Sequence, residues 1–299
     1  MGAEAVVTEL MSIGGECLAV ESRRIIRPSL LALTNVRLDH LETMGRSKEA
    51  VARTLAAGFP DAAPIILPEE ERSSVFTETA VRRGSRIIAV RAATAGERIG
   101  TEAPGRLERF EPNLRLALAV LESLGVDQAS ALRGMDRSAP DFGSLRLWRL
   151  EIGRPPRPAL GASAFAANDP ESSAAAVRMI RERIPPAAKS FIGVLALRED
   201  RGDRTLQWTR ASGDGFFDGF AHVAVIGPPA RAAGRRIRRL VGQGMTRFSF
   251  PGEVGAAALM DHLVSLADLE PVIIGLGNII GFGERIIRYW EDVGVPYGD

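Results

Sequence analysis

Side chains of types able to ligate a metal follow two short apolar runs near the start of the 299-residue chain. Glu9 closes "AVVTE" (5–9), and Asp39 and His40 close "LTNVRLDH" (33–40). If both runs are neighbouring parallel strands, their carboxyl ends share one rim, and residues 12–28 are long enough to cross between them. A carboxylate and an imidazole meeting there could hold Mg²⁺, with a substrate phosphate as a further ligand, although nitrogen is a minority ligand for so hard an ion. The same residues also fit a structural role, with Asp39 capping a helix and His40 donating to a backbone carbonyl.

Three later stretches carry polar groups where strands give way to turns. In "FAANDPESS", Asn168 and Asp169 could bind a ribose hydroxyl, orient a phosphate, or cap the helix that Pro170 begins. "LREDRGDRTLQW" carries Arg198, Asp200, Arg201, Asp203, Arg204 and Gln207. Its arginine forks suit carboxylates and phosphates, and its mixed signs equally suit a self-paired surface. "GLGNIIGFGE" has the glycines of a tight turn, with Asn278 able to adopt unusual dihedrals there. It is no dinucleotide fingerprint, because no acidic ribose binder on a further strand can follow it.

The elements that must position these groups alternate. "AVVTE", "LLALTNV" (30–36), "APIIL" (63–67) and "SRIIAV" (85–90) read as strands, each a continuous apolar run suited to a parallel sheet covered on both faces. Helices are expected at 46–58 and 72–83. A third, at 113–126, would bury Leu114, Ala117, Leu118, Leu121 and Leu124 on one face. The Gly/Pro-rich section 134–163 marks a boundary, with Leu145–Ile152 as a strand inside it. Strands at 191–200, 222–229 and 271–278 then alternate with helices at 170–184, 254–267 and 284–291. The fold class expected is α/β in two units, 1–150 and 151–299.

Composition excludes several functions. Hydrophobic residues make up 45% of the chain and charged residues 25%, enough for real cores in a soluble protein. A net charge of +1 offers no global attraction for nucleic acid. Only Lys48 and Lys189 are lysines, so catalytic lysine has few candidates. The single cysteine, Cys17, excludes a disulfide framework and reads as a buried small hydrophobe. No common zinc spacing joins it to His40, His222 and His262. "PVIIGLGNIIGF" is too short to span a bilayer, and Glu4 and Glu9 interrupt any signal peptide.

Taken in order, "GAEAVVTELMSIGGECLAV", "LTNVRLDHLETMG", "FEPNLRLALAVLESLGV", "SAFAANDPESS", "LREDRGDRTLQW" and "GLGNIIGFGE" resemble the ligase component of bacterial poly-γ-glutamate capsule synthesis, within the Mur ligase and folylpolyglutamate synthase group. The resemblance implies a partial P-loop ATPase-like Mur ligase central domain followed by a C-terminal Rossmann-like α/β domain. It implies ATP and Mg²⁺ as cofactors, and an amide bond formed through an acyl phosphate. On that pattern Glu9 and His40 are the metal ligands, and Asn113 contacts the nucleotide. Arg146 in "GSLRLW" reaches ATP phosphate, and Asp169 joins the nucleotide on closure. Arg201, Asp203 and Arg204 bind an acidic substrate, namely glutamate or a γ-glutamyl polymer. Membrane capsule-synthesis proteins are the implied partners, with the catalytic part cytoplasmic, at the inner membrane face through partners or an N-terminal anchor.

Three departures from that pattern stand out. No G-x-x-G-K-[ST] loop occurs anywhere, and "VGQGMT" (241–246) offers no lysine. The substrate lysine that some relatives use near the metal is not evident, and Ile280 stands where this branch tends to have a polar residue. The expectation is a fragment of a complete ligase. The alternatives are a half-enzyme completed by a P-loop-bearing partner chain, or a non-catalytic subunit of a capsule-synthesis complex.

Overall fold

The computed structural model describes residues 4–38, 40–92, 111–137, 142–184, 189–240, 246–250 and 255–297, with backbone alone at 111–112, 238–240 and 246–250. Asp39 and the "VGQGM" residues lie outside the described set. The chain forms two compact units, the first of residues 1–102 and 108–138 and the second of 103–107 and 139–299.

In the first unit, β1 (Leu31–Ala32), β2 (Ile65–Pro68) and β3 (Ile87–Val90) form a parallel sheet in the order β1-β2-β3. Its helices are α1 (Gly15–Val20, running on into a π-helical turn to Ile26), α2 (Leu41–Met44), α3 (Lys48–Ala56), α4 (Ser74–Arg83), α5 (Glu111–Ser123) and α6 (Gln128–Arg137). Ser47 and Ser73 cap α3 and α4 by accepting from Ala50 N and Phe76 N. Val51, Ala52 and Ala56 of α3 and Phe76 and Ala80 of α4 pack with Ile65, Leu67 and Phe59 into one core.

Several expectations fail here. Residues 5–9 form no strand; Val6 and Val7 are 81% and 94% exposed. A short apolar run forms a strand only where a neighbour takes its backbone bonds, and this one has none among the described residues. Residues 12–28 are therefore not a crossover between two strands; they hold α1 and its π turn. The strand expected at 30–36 shrinks to two residues, although Leu33 and Val36 are still buried. Cys17 is exposed, and Leu18 is the buried residue of α1. Of the face expected on 113–126, Leu114 is buried, Ala117, Leu118 and Leu121 are half-buried, and Leu124 lies exposed just past the end of α5; Leu116 is buried as well.

The second unit is a seven-stranded sheet built from β4 (Arg146–Ile152), β5 (Arg157–Ser163), β6 (Lys189–Ala196), β7 (His222–Ile226), β8 (Thr246–Phe250), β9 (Glu270–Gly277) and β10 (Gly294–Pro296). Their order is β10-β4-β5-β9-β6-β7-β8. From β5 to β8 all pairs are parallel, and β4 and β10 are antiparallel additions. The helices are α7 (Pro170–Arg183), α8 (Gly202–Gly213), α9 (Ala230–Leu240), α10 (Ala256–Ser265) and α11 (Glu284–Val293).

The last long strand explains the continuous apolar runs. Val272, Ile274 and Leu276 of β9 join one core with Ile180, Trp208 and Ile237 from α7, α8 and α9. Ile273 faces the other core, with Met260, Leu263, Ile287 and Trp290 from α10 and α11. Both faces are covered, so no polar alternation survives. Trp290 is fully buried and donates to Met260 Sδ at 3.4 Å; truncating such a side chain costs roughly 3–5 kcal/mol.

β9 enters between β5 and β6 although it follows β7 and β8 in the chain. The carboxyl ends of β5, β9 and β6 therefore lie side by side where the strand order reverses. Ligands of open parallel sheets gather at such a point.

Candidate functional site at the carboxyl rim of the second sheet

The rim is assembled from four chain segments. Arg146 starts β4 opposite Ser163, the last residue of β5, and Ser163 in turn pairs with Gly275 of β9. Asn278 follows β9, and Arg198 to Arg204 follow β6 and open α8. Asn168 and Asp169 lie between the 3₁₀ turn after β5 and the start of α7.

Asn278 ties two strands and a helix together. Its backbone N–H and its side-chain Nδ2 both donate to Ala196 O, at 2.9 and 3.3 Å. Its Oδ1 accepts from Arg204 Nη1 at 3.4 Å. The side chain is buried and extended (φ −97°), so the unusual dihedral expected of it falls instead on Gly277 (φ +87°). A β-carbon at Gly275 would overlap the Phe165 ring, so only glycine fits that strand position.

The "DRGDRT" stretch is not a solvated loop. Gly202 begins α8, Arg201 is its N-cap, and Arg204 faces inward at 8% exposure. A guanidinium taken from water needs acceptors, and Asn278 supplies one. Arg201 and Asp203 are half-buried on the outer side of the same turn. Arg198 pairs with Asp200 at 2.6 Å, and that hydrogen bond holds the Asp200 carboxyl below its ordinary range. Trp208 Nε1 donates to Asn168 O at 3.3 Å, which steadies Asn168 in a positive-φ conformation (57°).

Asp169 is the N-cap of α7, accepting from Ser172 N through Oδ1 at 2.9 Å. Arg146 pairs through Nη1 with Glu291 of α11 at 2.7 Å and lies over the Trp148 ring. Its Nε and Nη2 are buried and find no hydrogen-bond acceptor among the described residues, and Ser163 Oγ beside it in register is equally unsatisfied. Buried donors without acceptors are costly, so this corner fits an incoming anion such as a phosphate.

Arg146, Asp169, Arg201, Asp203 and Arg204 thus all lie on segments at the carboxyl ends of β5, β9 and β6. Asn278, Ser163, Glu291 and Trp208 complete the rim without having been expected as site residues; the glycines around Asn278 were the signal for the first. The first unit gives less. Asn113 is exposed in the first turn of α5. Glu9 is exposed and follows no strand among the described residues, so no strand end positions it as expected. His40 adopts a left-handed conformation (φ 48°) before α2, and its carbonyl accepts from Thr43 N and Met44 N. No group of three or more His, Cys, Asp or Glu suited to a metal occurs among the described residues. No helix among the described residues is long and apolar enough to cross a membrane.

Residues 150–293 match the family model described as the poly-gamma-glutamate synthase CapB C-terminal domain. The capsule biosynthesis protein CapB of Bacillus anthracis is 32% identical over 213 residues, spanning 70% of this chain and 44% of that protein. The PGA synthase CapB of Bacillus subtilis (strain 168) is 28% identical over 209 residues, spanning 69% and 51%. The chain therefore spans about half the length of these curated relatives. Among solved structures, the bifunctional folylpolyglutamate synthase/dihydrofolate synthase of Yersinia pestis, complexed with AMPPNP and Mn ion, superposes with a TM-score of 0.61 at 17% identity, covering 89% of this chain and 62% of that one. MurF from Acinetobacter baumannii gives 0.60 at 14% identity, covering 93% and 62%. At those identities the structural likeness speaks for the fold alone, an α/β Mur-ligase-like one.

Proposed function

We propose that this chain, a CapB-like member of the Mur ligase superfamily, acts within an ATP-dependent acid–amino-acid ligase that builds poly-γ-glutamate or a related γ-linked polymer. One observation carries the reading. The rim residues Ser163, Asp169, Arg201, Asp203, Arg204 and Asn278 lie within residues 150–293, which match the CapB family model, and the unsatisfied donors of Arg146 lie just before that stretch.

A carboxylate is a poor acyl donor because its leaving group would be oxide. Bound ATP with a divalent cation supplies the phosphoryl group that converts it to an acyl phosphate. The protein's own part is positioning and charge. Arg146 offers Nε–H and Nη2–H to phosphate oxygens without first breaking other hydrogen bonds. Asp169 keeps one oxygen on its helix and presents the other to the nucleotide. Arg201 and Arg204 hold the acidic substrate, and Asp203 between them orients its ammonium group. Asn113 is a further nucleotide-contacting residue in this reading. Glu9 and His40 would be the protein's ligands to that cation, with nucleotide phosphates supplying further oxygens.

The sequence carries no phosphate-gathering G-x-x-G-K-[ST] loop. That observation favours a second reading beside the first: a half-enzyme subunit whose loop comes from further sequence or from a separate chain of a capsule-synthesis complex. The chain combined with a loop-bearing polypeptide should release phosphate from ATP only when glutamate is supplied as acceptor. Phosphate release that ignores glutamate, or that survives Arg146→Ala unchanged, would count against the proposal.

A further inference from the structure

A basic surface of the second unit has no part in the reading above. Helix α9 carries five arginines and no acidic residue in eleven positions. Its apolar side, Ala230, Ala233 and Ile237, is buried in the core with Val223, Val225 and Trp208. Its other side turns Arg231, Arg235 and Arg236 to solvent. Among the described residues no carboxylate pairs with any of these three; the one recorded contact is Arg235 Nε donating to Arg231 O at 3.2 Å. A basic helix face left unneutralised in a chain of net charge +1 is a local anion-binding surface.

Its position relates it to the rim. β7 ends at Ile226, which pairs with Ala196, and Leu197 N donates to Ile226 O at 2.9 Å. Ala196 is the same residue whose carbonyl receives both Asn278 bonds. At a strand spacing of ~4.8 Å, the end of β7 lies about 10 Å from the end of β9. Helix α9 begins four residues after Ile226, so its first turn opens beside the candidate site and its arginines lead away from it.

We infer that the exposed face of α9 is a track for the acidic polymer, holding successive carboxylates of a γ-glutamyl chain as it leaves the rim. The inference rests on the ligase reading for the identity of the polymer. The charge density fits. Arginines four positions apart stand about 6 Å apart along a helix axis. A γ-linked glutamyl unit has five backbone bonds where an α-linked residue has three, so from ~3.3–3.6 Å per α-linked residue it extends about 6 Å per carboxylate. Arg231 and Arg235 have that spacing, and Arg239 continues it in the sequence. Other polyanionic surfaces fit less well. A helix lying on a membrane needs a free apolar face, and that of α9 is spent in the core. Its exposed side presents no aromatic ring for stacking nucleobases.

The test is binding by the full chain without ATP, so that it reads out whether or not the chain takes part in ligation. Affinity for γ-linked glutamate oligomers should rise with oligomer length until the helix is covered, and free glutamate should compete poorly. The triple variant Arg231→Gln/Arg235→Gln/Arg236→Gln should weaken the long oligomer about tenfold or more, as three exposed ion pairs each worth about two- to threefold would give. It should also flatten the salt dependence. These side chains are exposed, so the variant should unfold at the wild-type denaturant midpoint, which separates lost contacts from lost fold. Unchanged oligomer affinity in the triple variant overturns the track, and so does loss of binding to phosphatidylserine vesicles alone. Ligase activity with unchanged oligomer binding would remove the track and leave the proposed function standing; oligomer binding without ligase activity would do the reverse.

Discussion

Arg204 of α8 donates through Nη1 to Asn278 Oδ1 at 3.4 Å, joining two buried polar side chains from segments 74 positions apart. The same asparagine holds Ala196 at the end of β6 through Nδ2. One amide therefore sets where the charged start of α8 sits relative to the central strands.

Asn278→Ala removes an acceptor from a buried guanidinium and a donor from Ala196 O. The second unit should lose about 1–3 kcal/mol, read by denaturant unfolding. Asn278→Asp keeps the acceptor facing Arg204 and should lose less. Equal stability of Asn278→Ala and wild type would show that this link does not hold the rim.

Gly275→Ala places a methyl group in the Phe165 ring, which is itself fully buried. Overpacking of this kind costs about 1–3 kcal/mol or more. The added substitution Phe165→Leu should recover part of the loss in thermal unfolding, because the two sites share one space. A simple sum of the two single losses would mean that the overlap is not what makes glycine necessary.

Asp169 separates a structural role from a chemical one. Asp169→Ala removes the α7 cap and should cost about 1 kcal/mol, whereas Asp169→Ser keeps a capping oxygen and should restore stability. Both variants lack the second carboxylate oxygen, so both should lose turnover in the assembled ligase. Recovery of activity together with stability in Asp169→Ser would make the residue a cap and nothing more.

Much of the second unit was legible because its strands are buried on both faces. Runs such as Val272–Leu276 admit little else, and Asp169 before Pro170 marked the start of α7. Strand β5 was missed because "RPALGAS" has proline, glycine and alanine where strand formers are expected. It is held by its neighbours β4 and β9, with Trp290 and Leu150 filling the space above Gly161. The charged "DRGDRT" hid a helix because its one inward residue is an arginine, which no apolar pattern registers. Residues 5–9 misled the other way: the apolar run is there, and no strand pairs with it among the described residues.

The first unit offers a test of pH dependence. Glu21 accepts from Met11 N at 3.0 Å and Ser12 N at 2.9 Å, and hydrogen bonding, led by the Ser12 side chain, lowers its pKa. A depressed carboxylate contributes above its unfolded pKa and loses its contribution as pH falls through the folded value. Hydrogen-exchange protection of the Met11 and Ser12 amides should therefore hold at neutral pH and fade in the acid range below the ordinary glutamate pKa. Glu21→Gln should abolish that acid transition; the same fading in the variant would assign it to another group.

Ligation through an acyl phosphate leaves an isotopic trace. The chain, joined with a polypeptide bearing the phosphate-gathering loop, should be given ATP and a γ-glutamyl substrate whose reacting carboxylate carries ¹⁸O. The account predicts one labelled oxygen in each inorganic phosphate released, together with a new γ-amide. Unlabelled phosphate accompanying amide formation, or a labelled nucleotide in its place, would contradict it.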